Sequence, residues 1–251
     1  MIISEKWKFI FVHIHKTAGD AITDALIPFL GKRDVVITDS VSEWLRKSLP
    51  LSSQAKYRTL HKHSVAEEIR AAVPAAVWDN YYKFSFVRDP VDRAVSMYKY
   101  ALTMGVARKN SAVWRQAFFQ TPIGVRFDPL NWPAVKAAAD CDSFSFFLRH
   151  EGAMSDLGML PQWLSVSDNH KGNVIVDTIG RYEHLEHDFE QIGRALGLPR
   201  ISIRRRNVSL KREVVVSGED LALLQRRYQD DLIRFGYPAS SGPMPPNQVY
   251  G

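Results

Sequence analysis

Cysteine is nearly absent from this chain, and so are long apolar runs. Cys141 is the only cysteine among 251 residues, which excludes an internal disulfide and a zinc site built from a cysteine cluster. A reducing compartment is therefore the default expectation. No segment is apolar for long enough to span a bilayer, and the sequence has neither an internal repeat nor a heptad pattern. These absences exclude disulfide scaffolds, membrane-spanning bundles and repeat arrays.

The overall composition is that of a globular protein with excess positive charge. Hydrophobic residues make up 45% of the chain and charged residues 24%, which is ordinary for a soluble domain. The formal net charge of +6 suits polyanionic ligands such as nucleotides, acidic glycans or nucleic acid. The length fits a single domain, which we assign to residues 1–237. Residues 238–251 are rich in Pro, Ser and Gly and predict an extended tail with almost nothing to bury.

Four short runs of β-favouring residues predict strands. Three of them are apolar on both faces, as central strands of a parallel sheet must be, and cover residues 9–14, 82–87 and 174–179. A shorter candidate covers residues 35–37. Because helical patterns separate these runs, the sequence predicts an α/β fold with an open, mostly parallel sheet flanked by helices.

Helical periodicity and capping residues mark the predicted helices. Ser64 and Glu67 form a capping-box pattern, Asp89 precedes Pro90 at a first helical position, and Ser217 precedes two acidic residues. The predicted helices cover residues 21–30, 64–73, 90–102, 144–149, 185–196 and 219–235.

Two strand-to-helix junctions carry a cation where an anion is favoured. The first reads HIHKTAGD over residues 13–20, and the second reads FSFVRDPVDRAVS over residues 84–96. A loop that enters a helix presents unpaired backbone N–H groups and the positive end of the helix dipole, to which Lys16 or Arg88 adds a full charge. The first loop is not a Walker phosphate loop, because it has one glycine and its lysine precedes that glycine. Together the junctions predict a site for a doubly phosphorylated nucleotide.

Several stretches of the sequence resemble one enzyme family. HKTAG at residues 15–19 closely resembles the 5′-phosphosulfate loop of sulfotransferases that use 3′-phosphoadenosine 5′-phosphosulfate (PAPS), and Arg88 with Ser96 resembles their 3′-phosphate motif. LHKHS at residues 60–64 resembles the catalytic-histidine segment of the branch that contains heparan sulfate 2-O-sulfotransferase and bacterial carbohydrate sulfotransferases. The later matches are DTIGRYE at residues 177–183 and FGY at residues 235–237.

The resemblance implies a P-loop-like α/β enzyme that moves a sulfuryl group from PAPS to a hydroxyl acceptor, a carbohydrate for preference, and releases 3′-phosphoadenosine 5′-phosphate (PAP). It implies no metal. It also implies that Lys16 stabilises the leaving phosphate, that His63 is the general base and that His61 supports His63. The implied cofactor-binding residues are Lys16, Thr17, Ala18, Gly19, Asp20, Arg88, Ser96 and, from the basic run 204–212, Arg206 and Lys211.

Asp20 and Ala21 depart from the family pattern, because relatives usually carry hydroxyl residues there. A carboxylate cannot donate to a phosphate and repels it when ionised. Asp20 is therefore expected to cap the helix or to pair with Lys16 or a nearby arginine. It keeps an alternative open, a non-catalytic module that binds a nucleotide or an anionic glycan. A nucleotide-dependent kinase is a further alternative, which the missing Walker pattern disfavours.

The remaining histidines and basic residues have plainer interpretations. The pairs His13 with His15 and His61 with His63 share a spacing that could hold a metal, but no acidic or cysteine third ligand is evident. His13 is otherwise a hydrogen-bonded core residue, and Arg93 is expected to form a salt bridge at the surface. The basic run at residues 204–212 lacks aromatic stacking residues, so nucleic-acid binding is not expected.

The start of the chain and its motif-free middle bear on location and acceptor. The first of the strands above begins at residue 9, which leaves no room before it for a signal peptide or a membrane anchor. This favours a cytoplasmic bacterial enzyme over the alternative, the catalytic domain of a longer protein with a membrane anchor. Residues 103–173 carry no motif and are expected to shape the choice of acceptor.

Overall fold

The computed structural model describes residues 1–38, 57, 59–121, 124–168, 171–203, 212–238 and 248–250. The chain divides into two compact units. The first combines residues 1–88 with residues 162–206, and the second combines residues 89–161 with residues 207–251. The assignment of residues 1–237 to a single domain stays a prediction.

A five-stranded sheet forms the centre of the first unit. In the order β3-β1-β2-β4-β5, β2 is parallel to β4 and β4 to β5, whereas β1 is antiparallel to both β2 and β3. β1 alone therefore opposes the other strands, which confirms the expected mostly parallel sheet. These strands are β1 (Ile2–Ser4), β2 (Phe9–Val12), β3 (Val35–Val36), β4 (Tyr82–Val87) and β5 (Thr178–Arg181).

The helices of the described residues are mostly short. None of them is long and apolar enough to cross a membrane. In chain order they are α1 (Gly19–Leu26), α2 (Ala66–Ala72), α3 (Ala75–Asn80), α4 (Pro90–Lys109), α5 (Val113–Phe119), α6 (Pro133–Asp140), α7 (Phe144–Arg149), α8 (Glu151–Ser155), α9 (Trp163–Val166), α10 (Leu185–Ala195), α11 (Gly218–Arg227) and α12 (Gln229–Phe235).

One face of the sheet buries an aromatic core in the first unit. Alternate residues of β2 and β4 point to this face, because side chains alternate along a strand, and the Phe11 and Phe84 rings stack with centroids 5.1 Å apart. Burial of each large apolar side chain stabilises the fold by roughly 1.5–3 kcal/mol. From α1 and α10 the same cluster takes Ala21, Ile22, Leu26, Leu185, Phe189 and Ile192.

The second unit is built mainly of helices packed around α4. Apolar residues of α6, α7, α8 and α11 share one buried cluster with α4. β6 (Val214–Val216) pairs antiparallel with β7 (Gln248–Tyr250). The expected structureless tail therefore needs a correction over residues 248–250. Its two β-favouring residues, Val249 and Tyr250, are too few to stand out after a polar segment.

The bounds of the predicted strands agree with the structure to different degrees. β4 matches the prediction, whereas β2 ends two residues early and β5 begins at Thr178 instead of residue 174. Val174 forms only an isolated bridge to Ser167. β1 was not predicted, because three residues are too few to show a period.

Of the three predicted helix caps, two are confirmed and one is wrong. The Asp89 carboxylate accepts from the backbone N–H of Val91 at 2.9 Å, and Ser217 caps α11 with Asp220. The expected Ser64 cap is wrong, because α2 begins two residues later. There the Glu68 carboxylate, not that of Glu67, accepts from a backbone N–H at 3.1 Å. The pattern was read one residue out of register.

Predicted helix lengths differ at two long segments. α4 continues to Lys109 instead of ending at residue 102. The predicted helix over 219–235 is two helices, broken at Tyr228. That residue is buried, and its hydroxyl donates to the Met159 carbonyl at 2.6 Å. The helix thus ends at a residue that makes a long-range hydrogen bond, and the hydrophobic periodicity of the sequence does not predict this end.

Arg93 is buried, contrary to the expected surface salt bridge. Its side chain is among the largest fully buried ones, with 1% of the residue exposed. Nη1 donates to the Gly158 carbonyl at 2.7 Å, and Nη2 donates to the Leu160 carbonyl at 2.6 Å. The guanidinium also lies over the Tyr228 ring. Arg93 is therefore a structural residue of the second unit.

Candidate functional site

A tight loop joins β2 to α1 in the first unit. Lys16 and Ala18 both have a φ of 66°, a left-handed conformation that costs an L-residue roughly 1–2 kcal/mol. The buried Thr17 hydroxyl donates to the Ile14 carbonyl at 3.0 Å, so its hydrogen serves the loop itself. Two strained residues held by an internal bond are typical of a functional loop.

Gly19 allows the loop to pass close to His13. A Cβ at this position would overlap the His13 imidazole, so only glycine fits without displacement. α1 begins here, and its N-cap residue Ala18 supplies no side-chain cap. The first N–H groups of a helix have no intrahelical partner, so this end of α1 favours an anion.

Lys16 and Arg88 bring two positive charges together at this loop. Burial, reinforced by the charge of Arg88, lowers the pKa of Lys16 to about 8. Arg88 Nη1 donates to the Lys16 carbonyl at 3.4 Å, and its guanidinium lies 4.1 Å from the centre of the Tyr182 ring. A bound anion would relieve the repulsion between the two cations, so this arrangement favours a polyanionic ligand.

Gln162 holds the backbone of Arg88 and was not found from the sequence. The side-chain oxygen of this fully buried residue accepts from the Arg88 N–H at 2.9 Å, and its side-chain nitrogen donates to the Arg88 carbonyl at 2.8 Å. Tyr182 was also missed, although it lies within the matched segment 177–183. Gln162 gave no sequence signal, because it stands 74 positions from its partner.

Three imidazoles pack together beside the loop. The His15 and His63 rings stack with centroids 3.3 Å apart, and the His13 ring meets the His63 ring edge-on at 4.6 Å. His13 is buried as expected, but its Nδ1 has no hydrogen-bond partner among the described residues. Burial and the neighbouring His63 keep the pKa of His13 well below its usual value.

His63 is held in one tautomer. Its Nδ1 lies 2.9 Å from the His13 backbone carbonyl. Because a carbonyl only accepts, Nδ1 carries the hydrogen and Nε2 is the nitrogen that can take up a proton. Burial lowers the pKa of His63 to about 3, and this bond partly offsets the effect. His63 is therefore neutral near pH 7.

His61 contacts the backbone of the same turn. Its Nδ1 accepts from the His63 N–H at 3.2 Å, and its Nε2 lies 3.9 Å from the Glu68 carboxylate. The side chain is about half exposed. This arrangement suits the supporting role predicted for His61, which stays a prediction.

Asp20 forms an ion pair with Lys62. Its carboxylate lies 2.7 Å from the Lys62 ammonium, and it is not the N-cap of α1. The expected capping role is therefore wrong, and the ion pair is made with a residue that sequence reasoning did not single out. Lys62 stands between His61 and His63, so the pair ties the start of α1 to the histidine turn.

Three further predicted site residues belong to other parts of the sequence. Ser96 is partly buried on α4, in the second unit. Arg206 and Lys211 lie outside the described residues. Within the described ranges, no group of three or more His, Cys, Asp or Glu residues is arranged to hold a metal ion, so the histidine pairs provide no metal site there.

Comparison with known proteins identifies the family. The sequence matches the model of the Sulfotransferase family over residues 1–238. Carbohydrate sulfotransferase 11 of Danio rerio is 24% identical over 223 residues, which cover 80% of this chain and 62% of that relative's length. No solved structure matches the chain significantly. Because the family match covers nearly the whole sequence, including the loop, the histidine turn and the sheet, the chain belongs to the sulfotransferase family.

Proposed function

We propose that this protein transfers a sulfuryl group from PAPS to a hydroxyl of a carbohydrate and releases PAP. The closeness of Lys16 and Arg88 at the strained loop before α1 carries the proposal. Two partly buried cations beside unpaired helix N–H groups suit a ligand with two anionic groups.

Each end of the donor would meet its own cation. Lys16 and the first N–H groups of α1 would hold the 5′-phosphosulfate, and Arg88 would hold the 3′-phosphate. PAPS supplies an activated S–O bond, whose electron pair passes to the bridging phosphate oxygen. Lys16 would stabilise the charge that develops on this oxygen. Arg206 and Lys211 remain proposed donor ligands.

His63 would be the general base. Its Nε2 would take the proton of the acceptor hydroxyl as the oxygen attacks sulfur, which typically contributes about 10²- to 10⁴-fold in rate. The pKa of about 3 belongs to the ligand-free site, and an arriving anion would raise it. The bond from Nδ1 to the His13 carbonyl keeps Nε2 in the proton-accepting form until it takes up this proton.

The carbohydrate acceptor rests on two observations. The relative from Danio rerio is named as a carbohydrate sulfotransferase, and the net charge of +6 suits an acidic glycan. Residues 103–173 are proposed to shape the choice of acceptor. A cytoplasmic location and a bacterial source stay predictions from the sequence.

Calorimetric titration tests the donor site. We expect the wild-type protein to bind PAP more tightly than 5′-AMP or ATP, and Arg88→Ala to abolish this preference. Arg33→Ala removes an exposed arginine that pairs with Glu5, so it controls for net charge and should bind PAP normally. A wild-type protein without preference for PAP over ATP would overturn the proposal.

A binding module without catalysis is the second candidate, favoured by the carboxylate of Asp20 in the first turn of α1. The two candidates differ in whether the wild-type protein turns over PAPS in a way that depends on His63. The enzyme predicts that this variant loses turnover of PAPS with a glycan acceptor and keeps its PAP affinity. The binding module predicts no turnover in the wild-type protein either.

A further inference from the structure

Gln162 supplies hydrogen bonds where the sheet no longer does. β4 ends at Val87, whose partner in β5 is Arg181, so Arg88 lies one residue beyond the last pair of the ladder. The carboxamide of Gln162 bonds both the N–H and the carbonyl of Arg88, at 2.9 and 2.8 Å. One side chain thus replaces a neighbouring strand at this position.

The carboxamide of Gln162 is well placed to fix a backbone position. The residue is fully buried, so its two bonds do not compete with water. Both polar atoms of the carboxamide are used, because the oxygen accepts one hydrogen bond and the nitrogen donates the other. Any rotation of the carboxamide would break both bonds at once, which holds the Arg88 peptide rigidly.

Tyr182 restrains the other end of Arg88. Its ring centre lies 4.1 Å from the guanidinium carbon, close enough for a cation–π contact. Arg88 Nε is buried and has no hydrogen-bond partner among the described residues. Gln162 therefore holds the backbone of Arg88, and Tyr182 holds its guanidinium. The position of the terminal nitrogens is fixed before any ligand binds.

We propose that Gln162 and Tyr182 are positioning residues that set the selectivity of this site for a nucleotide 3′-phosphate. The inference rests on the proposed function, in which Arg88 binds that phosphate. A guanidinium grips a phosphate through two parallel bonds with strict geometry, so a small displacement of Arg88 weakens this contact selectively. Lys16 and the N–H groups of α1 would continue to hold the 5′-phosphate.

The test compares two nucleotides that differ only in the 3′-phosphate. The ratio of the dissociation constants of 5′-AMP and PAP is measured by calorimetry for wild type, Gln162→Met and Tyr182→Leu. Methionine keeps the volume of glutamine and removes both bonds to Arg88. We expect each variant to lower the ratio about tenfold, mainly through weaker PAP binding.

A matched control separates positioning from general loss of stability. Ile192→Ala opens a cavity in the buried cluster of the first unit and destabilises that unit while leaving Gln162 and Tyr182 unchanged. This variant should keep the wild-type ratio at temperatures where it is folded.

The outcomes separate this inference from the proposed function. If wild type binds 5′-AMP and PAP equally, the proposed function fails. If wild type prefers PAP and Gln162→Met keeps that ratio, the inference fails while the proposed function stands. Should Gln162→Met not fold, Tyr182→Leu decides, because a retained ratio in that variant overturns the positioning role.

Discussion

Arg88 and Arg93 both lie in the segment of residues 84–96 but have opposite surroundings. Within the second unit, Arg93 donates short bonds to two carbonyls. Within the first unit, Arg88 donates a long bond of 3.4 Å to the Lys16 carbonyl and lies near a second cation. Each has a buried Nε without a hydrogen-bond partner in the described parts of the chain. The two arginines therefore differ in the hydrogen bonds that their terminal nitrogens make. An arginine whose terminal nitrogens are satisfied by carbonyls stabilises a fold, whereas one held beside another cation is prepared for an anion.

Replacing Lys16 should have the largest effect on function. Lys16→Met should lower turnover roughly 10²- to 10³-fold, because the leaving phosphate loses its prepositioned cation. The free energy of unfolding should stay constant or rise, since the change removes a partly buried charge beside Arg88. Steady-state turnover and urea denaturation measure the two quantities. A variant that loses stability but keeps its turnover would show that Lys16, like Arg93, has a structural role.

Replacing Arg93 should have the largest effect on stability. Arg93→Met leaves the Gly158 and Leu160 carbonyls without their donor, and we expect the free energy of unfolding to fall by roughly 3 kcal/mol. Urea denaturation checks this value. Arg88→Met is the matched variant and should change stability little while it abolishes selective PAP binding. Equal losses of stability in the two variants would remove the contrast between them.

Raising the pH should weaken donor binding. The pKa of Lys16 is about 8, so Lys16 is a cation below that pH and becomes neutral above it. A bound anion raises this pKa, and PAP affinity should therefore fall by up to about tenfold per pH unit between the free and bound values. Calorimetry from pH 7 to pH 9 measures the slope. In Lys16→Met the contribution of this residue should vanish and the profile should flatten.

Removing the carboxylate of Asp20 should have the smallest effect. Asp20→Asn deletes a negative charge near the anion site, but the side chain is largely exposed and screened. We expect PAP to bind roughly two- to fivefold more tightly. Lys62→Met should weaken binding by a similar factor, since it removes a nearby cation. Weaker binding in Asp20→Asn would indicate that the ion pair shapes the loop more than its charge opposes the ligand.

The sequence predicted those parts of the site that depend on neighbouring residues. The bounds of β4 and the Asp89 cap follow from local patterns, and both are confirmed. The partners of Arg93 stand 65 and 67 positions away, and Gln162 stands 74 positions from Arg88. No periodicity or capping rule relates residues at such distances. The Asp20–Lys62 pair was missed for the same reason, because it joins the first turn of α1 to the distant histidine turn.

The bond between His63 and the His13 carbonyl lets the length of the loop fix the position of His63. His13 and Lys16 are separated by two residues, so one short piece of backbone sets the distance between His63, the proposed general base, and Lys16, the proposed leaving-group cation. Inserting a single residue there would lengthen that piece by up to about 3.3–3.6 Å. Both groups would keep their chemistry, but they could no longer act on opposite sides of the same sulfur atom. In the proposed mechanism, the spacing of this loop would therefore matter as much as the identity of its residues.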